Sequence, residues 1–272
     1  MPSSEHAQTE QIQLFLSPPH PCAYLDGQAS QMVFFDPRST PQPWIYQSAL
    51  EAGFRRSGNH VYRPHCPRCH ACVPVRIPVP HFRPNRSQRR CWRRNLSSLR
   101  IRTRSAQFDS EHFRLYREYT RQRHPDGGMA EADETRYLDF LTTHWCRTLF
   151  VEFRQDERLL AVAVTDVLPQ ALSAVYTFFE PQMSSLGLGV FAVLWQIEEA
   201  RRRGLSHLYL GYWIAESEKM RYKEGYRPLE AWDGERWRRF EAGDPLLPAA
   251  SGGLASERRR FSGARFSPIM AL

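Results

Sequence analysis

The sequence predicts an α+β protein, a small cysteine-bearing N-terminal part followed by a larger part in which strands and amphipathic helices alternate. Three stretches carry this reading. HCPRCHAC places Cys66, Cys69 and Cys72 at successive two-residue gaps. LFVEFRQDERLLAVAVTDVLPQALSAVYTFFEP reads as three apolar strands separated by the polar turns RQDER and LPQA. Between YTFFEP and LSHLYLGYW, the glycine turn SSLGLG opens a strongly apolar helix, giving the order strand, turn, helix, strand.

From the N-terminus, SPPHPCAYLDGQASQMVFFDP suggests turns and short strands. PWIYQSALEAGF has apolar residues at helical spacing (Trp44, Ile45, Leu50, Phe54), stopped near Gly53. VYRP and CVPVRIPV flank the cysteine loop as extended segments. FDSEHFRLYREYTRQRH and ETRYLDFLTTHW follow as amphipathic helices joined by HPDGGM. The apolar helix VFAVLWQIEEARRRG ends in three arginines and a glycine, as helix C-termini favour. A strand (LSHLYLGYW), a helix around the lysines and a strand (YRPLEAW) complete the order. The Pro-, Gly-, Ser- and Arg-rich tail is expected to be flexible. We expect three units: 1–104, 105–242 and 243–272. No internal repeat is visible.

A chain of 272 residues with 42% hydrophobic content can bury a substantial core. Its formal charge of +8 favours a polyanionic partner. MPSSEHAQTE lacks the pattern of a secretory signal, and the apolar run LLAVAV is cut short by Thr165 and Asp166. The expectation is a soluble cytoplasmic protein with no membrane partner and reduced or metal-bound cysteines.

The cysteine loop can point several thiolates at one centre, as zinc and iron–sulfur sites require. Cys22 is the first candidate for a fourth ligand to Cys66, Cys69 and Cys72, with His65 or His70 beside it. Inert buried thiols and a redox pair stand as alternatives. Cys91 and Cys146 fall in helical patterns and read as structural.

Between Arg76 and Arg104 lie ten arginines and no carboxylate. If RPNRSQRRCWRRN is helical, Arg86, Arg89, Arg90, Arg93 and Arg94 form a stripe able to follow a phosphate backbone, and Trp92 can stack on an unpaired base. The rival is a solvated face neutralised by nearby carboxylates. No helix-turn-helix is apparent, so RNA is the expected partner and DNA is not. Lys219 and Lys223 are the only lysines among 37 Lys and Arg residues; four residues apart beside Tyr222 and Tyr226, they suggest a task that needs a compact ammonium.

SSLGLG is not a nucleotide-binding loop, since no Gly-Lys-Ser/Thr follows. It resembles the pyrophosphate-binding motif of the GNAT N-acyltransferase fold, with Ser184 where that motif carries Gln or Arg, a departure that argues against coenzyme A. Taken in order, PCAYL, FFDP, GFRRSG, YRPHCPRCHACVPVRI, SQRR, TDVLPQALSAVYTFFEP, LGLG, YLGYWI, KMRYK and YRPLE resemble the arginyl-tRNA–protein transferase family, in particular its bacterial aspartate/glutamate leucyltransferase branch. The match runs from about Cys22 to Glu230.

The resemblance implies a cysteine-bearing N-terminal domain and a C-terminal GNAT-like domain. It implies transfer of an amino acid, Leu in the bacterial branch, from aminoacyl-tRNA to the N-terminal amine of proteins beginning with Asp or Glu, marking them for N-end rule degradation. No cofactor is required for that chemistry, since the ester is already activated; the eukaryotic relatives suggest a metal or cluster at the cysteines. Candidate acceptor-binding residues are Lys219, Lys223, Arg55 and Arg56. Gly187 and Gly189 are candidates around the substrate backbone, Tyr212 as a proton relay and Trp213 in the donor pocket. Tyr176 and Tyr222 are candidate relays and Asp166 a candidate base. Two other readings stay open: a coenzyme A-dependent N-acetyltransferase, and a non-catalytic, metal-stapled RNA-binding adaptor.

Overall fold

The computed structural model describes residues 12–123, 131–246 and 266–268. The N-terminal region forms β1 (Leu14–Leu16), β2 (His20–Pro21), β3 (Ala29–Ser30), β4 (Met32–Phe35), α1 (Pro43–Glu51), β5 (Arg55–Ser57) and β6 (His60–Pro64). Pro43 at the first helical turn sets the start of α1; Ile45, Tyr46, Ala49 and Leu50 form its buried face. Gly53, at φ 82°, ends that segment in a left-handed conformation.

Next come β7 (Val73–Pro78), α2 (Arg86–Ser98), β8 (Arg100–Ser105), α3 (Ser110–Arg123) and α4 (Glu134–Leu141). Helix α2 starts with a reciprocal cap: the Asn85 side chain accepts from the Gln88 amide, and the Gln88 side chain accepts from the Asn85 amide. The remainder comprises β9 (Arg147–Gln155), β10 (Arg158–Val167), β11 (Ala171–Phe179), α5 (Leu188–Arg202), β12 (His207–Trp213), α6 (Glu218–Arg221), β13 (Leu229–Trp232), β14 (Trp237–Phe240) and β15 (Phe266–Pro268).

An eight-stranded sheet in the order β14-β13-β7-β12-β11-β10-β9-β8 carries the functional region. Every neighbouring pair is antiparallel except β11 and β12, which are parallel and joined by α5. A parallel pair needs such a crossover, and the apolar helix after SSLGLG provides it. Strands β9 and β10 are covered on both faces, which explains their unbroken apolar runs. On one side, Leu160, Ala161 and Ala163 pack under Phe191 and Ala192 of α5. On the other, Val162, Val164 and Phe178 pack under Leu115 and Tyr116 of α3 and Tyr137 and Leu141 of α4. Phe150, Phe153, Leu160, Val162 and Val164 are fully buried, each contributing roughly 1.5–3 kcal/mol relative to exposure.

A second sheet, β15-β1-β4-β6-β5, encloses its own core with α1. Trp145, Cys146, Leu168, Ala171 and Tyr209 join that core from the large-sheet region. The boundary expected at residue 104 therefore cuts through a sheet: β7 precedes it yet pairs with β12 and β13, and β8, paired with β9, straddles it. Of the tail expected to be flexible, residues 266–268 form β15, parallel to β1; residues 247–265 and the HPDGGM loop lie outside the described residues. Among the described residues no helix is long and apolar enough to cross a membrane.

Candidate active site

The large sheet opens between its two parallel strands. The β11–β12 ladder begins at Ala171↔His207 and ends at Ser173↔Tyr209, although the strands run on to Phe179 and Trp213. Both carry an irregularity near the split. Opposite β10, Val164 pairs with Tyr176 and Thr165 with Ala174, leaving Val175 as an extra residue. Opposite β7, Tyr209 pairs with Arg76 and Gly211 with Val75, leaving Leu210 as another. Bulges bend the strands that carry them, so the facing edges of β11 and β12 diverge.

Gly211 has φ 75°, and a Cβ there would stand 3.0 Å from Arg55 Nη1 and 3.4 Å from Arg55 Cζ. Its lack of a side chain thus admits both the bulge and the Arg55 guanidinium. Arg55 also lies over the Tyr212 ring, 5.8 Å from its centroid. Nearby, Lys223 is almost fully buried, and its ammonium donates to the Tyr212 carbonyl and lies 3.1 Å from Met220 Sδ. Burial first, and then the Arg55 charge, lower the Lys223 pKa to about 7, opposed by Cys72. No carboxylate contacts Arg55 or Lys223 among the described residues, so two neighbouring cations stand uncompensated.

The two lysines do not share a face. Helix α6 spans only Glu218–Arg221 before tightening into a 3₁₀ turn over Tyr222–Gly225, which sends Lys219 to the surface and Lys223 inward. The tandem arginines of GFRRSG also separate. Arg56 donates through Nε and Nη2 to Asp166 at 2.6 Å each, and further to Thr148 Oγ1 and to the Leu141 and Gly58 carbonyls. Neither side chain of that pair is exposed. Asp166 is therefore no base for substrate and Arg56 no ligand for it; a bidentate buried ion pair occupies both.

Tyr176 lies on β11 beyond the split, its hydroxyl buried with no hydrogen-bond partner and its pKa raised by burial. Its ring stands 6.2 Å from that of Tyr119, and Tyr119 in turn lies near the half-exposed Tyr222. The Tyr212 hydroxyl is held by the Gly53 and Tyr62 carbonyls at 3.2 and 3.3 Å, so Tyr212 offers its ring and carbonyl rather than a proton. Trp213 is buried in the core with Val193, Leu194 and Tyr226, and its indole N–H has no partner. Gly187 and Gly189 permit close packing: a Cβ would stand 3.3 Å from Cys91 Sγ at the first and 3.4 Å from the Phe179 ring at the second. Tyr24 of PCAYL, Tyr62 at the head of YRPHCPRCHACVPVRI, and Tyr119 border the same region, though sequence reasoning assigned none of the three a role.

The four N-terminal cysteines draw together around Cys72, whose thiol is pushed up to about 12, by burial first and then by Cys22, Cys66 and Cys69. Backbone amides of Tyr24 and Gln31 donate to Cys22 Sγ (3.5 Å) and Cys66 Sγ (3.4 Å). Among the described residues no group of three or more His, Cys, Asp or Glu side chains stands in a metal-holding arrangement.

The arginine run divides by element. On the strands, Arg76 pairs with Glu230, Arg100 and Arg102 with Glu157, and Arg104 with Glu152. Those four follow the bland reading of neutralised arginines. On α2, Arg86, Arg89, Arg90, Arg93 and Arg94 are exposed and none is ion-paired among the described residues, while Gln88, Cys91 and Asn95 form the buried face. Arg94 Nη2 and Asn95 Nδ2 donate to the Leu186 carbonyl at 2.7 and 2.8 Å, tying α2 to the loop that enters α5. Trp92 packs 5.3 Å from Phe191.

Comparison with known proteins identifies the family of the chain. The N-terminal description of the arginine-tRNA-protein transferases matches residues 20–90, and the C-terminal description matches residues 111–233. Aspartate/glutamate leucyltransferase of Halorhodospira halophila is 51% identical over 224 residues, 82% of this chain and 94% of that protein. The same-named proteins of Pseudomonas fluorescens (48% over 226 residues, 83% and 96%) and Chromobacterium violaceum (44% over 243 residues, 89% and 100%) are similarly close. Among solved structures, the C-terminal domain of a putative lysylphosphatidylglycerol synthetase from Agrobacterium fabrum covers 64% of this chain and 53% of its own, at 12% identity and a TM-score of 0.41. With both terminal descriptions matched and near-half identity along most of its length, the chain belongs to the arginine-tRNA–protein transferase family, on the branch of the bacterial aspartate/glutamate leucyltransferases.

Proposed function

We propose that this enzyme moves leucine from leucyl-tRNA onto the α-amine of proteins beginning with Asp or Glu, marking them for N-end rule degradation in the cytoplasm. The observation that carries the reading is the uncompensated pair Arg55 and Lys223 beside the split between β11 and β12. A cation pair, Lys223 buried and Arg55 half-buried, with no carboxylate of its own is a receptor for one, and an acceptor's Asp or Glu side chain supplies it. Arg55 offers a planar, bidentate grip and Lys223 a point charge. Lys219, outside the pocket, is better placed to meet RNA phosphate at the surface.

The α-amine nitrogen bonds to the ester carbonyl carbon, and the tetrahedral intermediate collapses by breaking that carbon's bond to the ribose oxygen. The proton lost by the amine ends on the ribose hydroxyl. An α-amine has a pKa near 8, so a fraction of roughly a tenth is already nucleophilic at pH 7. The enzyme's part is alignment and oxyanion stabilisation. Backbone amides on β11 beyond Ser173, no longer paired to β12, are the proposed donors, and Tyr176 and Tyr222 the proposed proton carriers.

The parallel pair, crossover helix and split support a GNAT-type core. The dividing line between it and the cysteine-bearing part falls better near residue 72, ahead of β7, than at 104. Ser184 supplies no cation or amide for a pyrophosphate, which disfavours a coenzyme A-dependent reaction. Four soft thiols suit zinc or an iron–sulfur cluster in donor chemistry. Cys22, Cys66, Cys69 and Cys72 would hold either one as a structural staple, with Cys72 on the side of Lys223.

The test pairs labelled leucyl-tRNA with peptides beginning Asp, Glu, Asn or Ala. Label on the first two alone is expected. Arg55→Gln is expected to cut transfer to the Asp peptide at least tenfold while the fold melts as wild type. Equal labelling of the Asn and Ala peptides, or label that never leaves tRNA, would defeat the proposal.

A further inference from the structure

Away from the split, a groove of about 230 Å³ runs between α2 and α5, lined by Phe82, Pro84, Arg89, Trp92, Arg93, Leu194 and Glu198. Trp92 is only partly buried, and Leu194 and Phe82 extend the apolar wall. Arg89 donates to the Pro84 carbonyl at 2.7 Å, whereas Arg93 has neither a hydrogen bond nor an ion pair among the described residues. At the other end, Glu198 is engaged by Arg201 yet remains half exposed. The groove thus has an apolar, aromatic wall, a cationic rim and one carboxylate opposite that rim.

We propose that this groove holds one unpaired base at the root of the single-stranded 3′ end of tRNA, stacked on Trp92 with its phosphate at Arg93 and Arg89. The proposal rests on the transfer reading above and adds a subsite to it. Aromatic stacking beside arginines is how proteins hold single-stranded nucleic acid without reading its sequence. Glu198 suits a base with an exocyclic amine, since a carboxylate accepts from such a group. Placement follows from the helices. Leu194 and Glu198 lie six and ten residues beyond Leu188, at the start of α5, or about 9 and 15 Å along its axis. Stacked nucleotides advance about 3.4 Å each, so a base in the groove sits about three or four nucleotides before a terminal adenosine delivered at the head of α5. Arg94, one residue beyond Arg93 on α2, is bound to the Leu186 carbonyl at the head of α5 and so links the groove helix to that place.

The experiment measures binding of uncharged tRNA, and of a short single-stranded oligoribonucleotide ending in CCA, to the full chain by fluorescence anisotropy over a range of salt. The variants are Trp92→Ala, Trp92→Phe and Arg93→Gln. Trp92→Ala is expected to weaken both ligands roughly tenfold with an unchanged salt slope, because it removes stacking and no charge. Trp92→Phe should restore most of the loss, and exposed Arg93→Gln, which does not threaten the fold, should lower the slope by about one. The Michaelis constant for the acceptor peptide should stay as in wild type.

Wild-type affinity in both Trp92→Ala and Arg93→Gln would overturn the subsite while leaving the transfer reading intact. A raised Michaelis constant for peptide instead would assign the groove to the protein substrate. A wild-type enzyme that binds neither RNA would overturn both.

Discussion

Replacing Lys223 with Met tests whether a buried amine has been kept at the expense of stability. Met matches the length of the lysine stem but carries no charge. The amine's pKa is about 7 in the folded chain against an ordinary 10.5, a difference equivalent to about 5 kcal/mol. Below pH 7 the ammonium is charged in both folded and unfolded states, and the whole burial penalty is present. Between pH 7 and 10.5 the unfolded chain holds a proton that the folded chain lacks, so wild-type stability rises with pH. Above 10.5 the penalty is gone.

Against this, Met leaves the Tyr212 carbonyl without its donor, a loss of about 1–3 kcal/mol at any pH. Lys223→Met should therefore be more stable than wild type by about 3 kcal/mol at pH 6, roughly 5–10 °C in Tm. At pH 10 it should be less stable by about 1 kcal/mol. Urea melts at the two pH values provide the measure, with leucyl transfer to an Asp peptide followed alongside and expected to fall. A stability difference that does not change sign or size with pH would show that Lys223 bears no buried charge. Undiminished transfer would remove it from the acceptor pocket.

Asp166→Asn leaves the Arg56 guanidinium buried without its counter-charge and should cost about 3–5 kcal/mol in urea unfolding. The pH dependence of kcat/KM in the fraction that folds should not move, whereas loss of a general base would flatten its acid limb. Gly58→Ala adds a Cβ 2.0 Å from the Asp139 carbonyl oxygen at φ 56°, so calorimetry should show a loss of at least about 2 kcal/mol. Five exposed α2 arginines without carboxylate partners predict a slope of about −4 in a plot of log affinity for tRNA against log salt. Binding insensitive to salt would contradict the phosphate-tracking role of that helix.

Much of the element order was legible because periodicity reports burial. The two-face burial of β9 and β10 explains their continuous apolar sequence, and α5 shows its apolar character and C-terminal arginines. The Asn85–Gln88 cap of α2 is also a local pattern. The fate of charged residues was not local. Arg55 and Arg56 are indistinguishable until β10 brings Asp166 to one of them. Lys219 and Lys223 read as helix-face partners until the helix tightens between them. Arg76, Arg100, Arg102 and Arg104 lack nearby acids in sequence but gain Glu230, Glu157 and Glu152 from distant strands. One signal was present and informative: a glycine inside the strand pattern LYLGYW points to a bulge or a close approach, and Gly211 provides both.

The contrast between Arg55 and Arg56 has a mechanical consequence. Side chains alternate along a strand, so whatever fixes one residue also aims its neighbour the opposite way. The ion pair at Arg56 is thus a bolt whose position determines where the preceding guanidinium is presented, several ångströms from any bond it makes itself. Slipping β5 by a single residue would exchange the bolt for the grip and disable both. Chain-length changes between Phe54 and Gly58 should therefore be far less tolerable than substitutions at either flank.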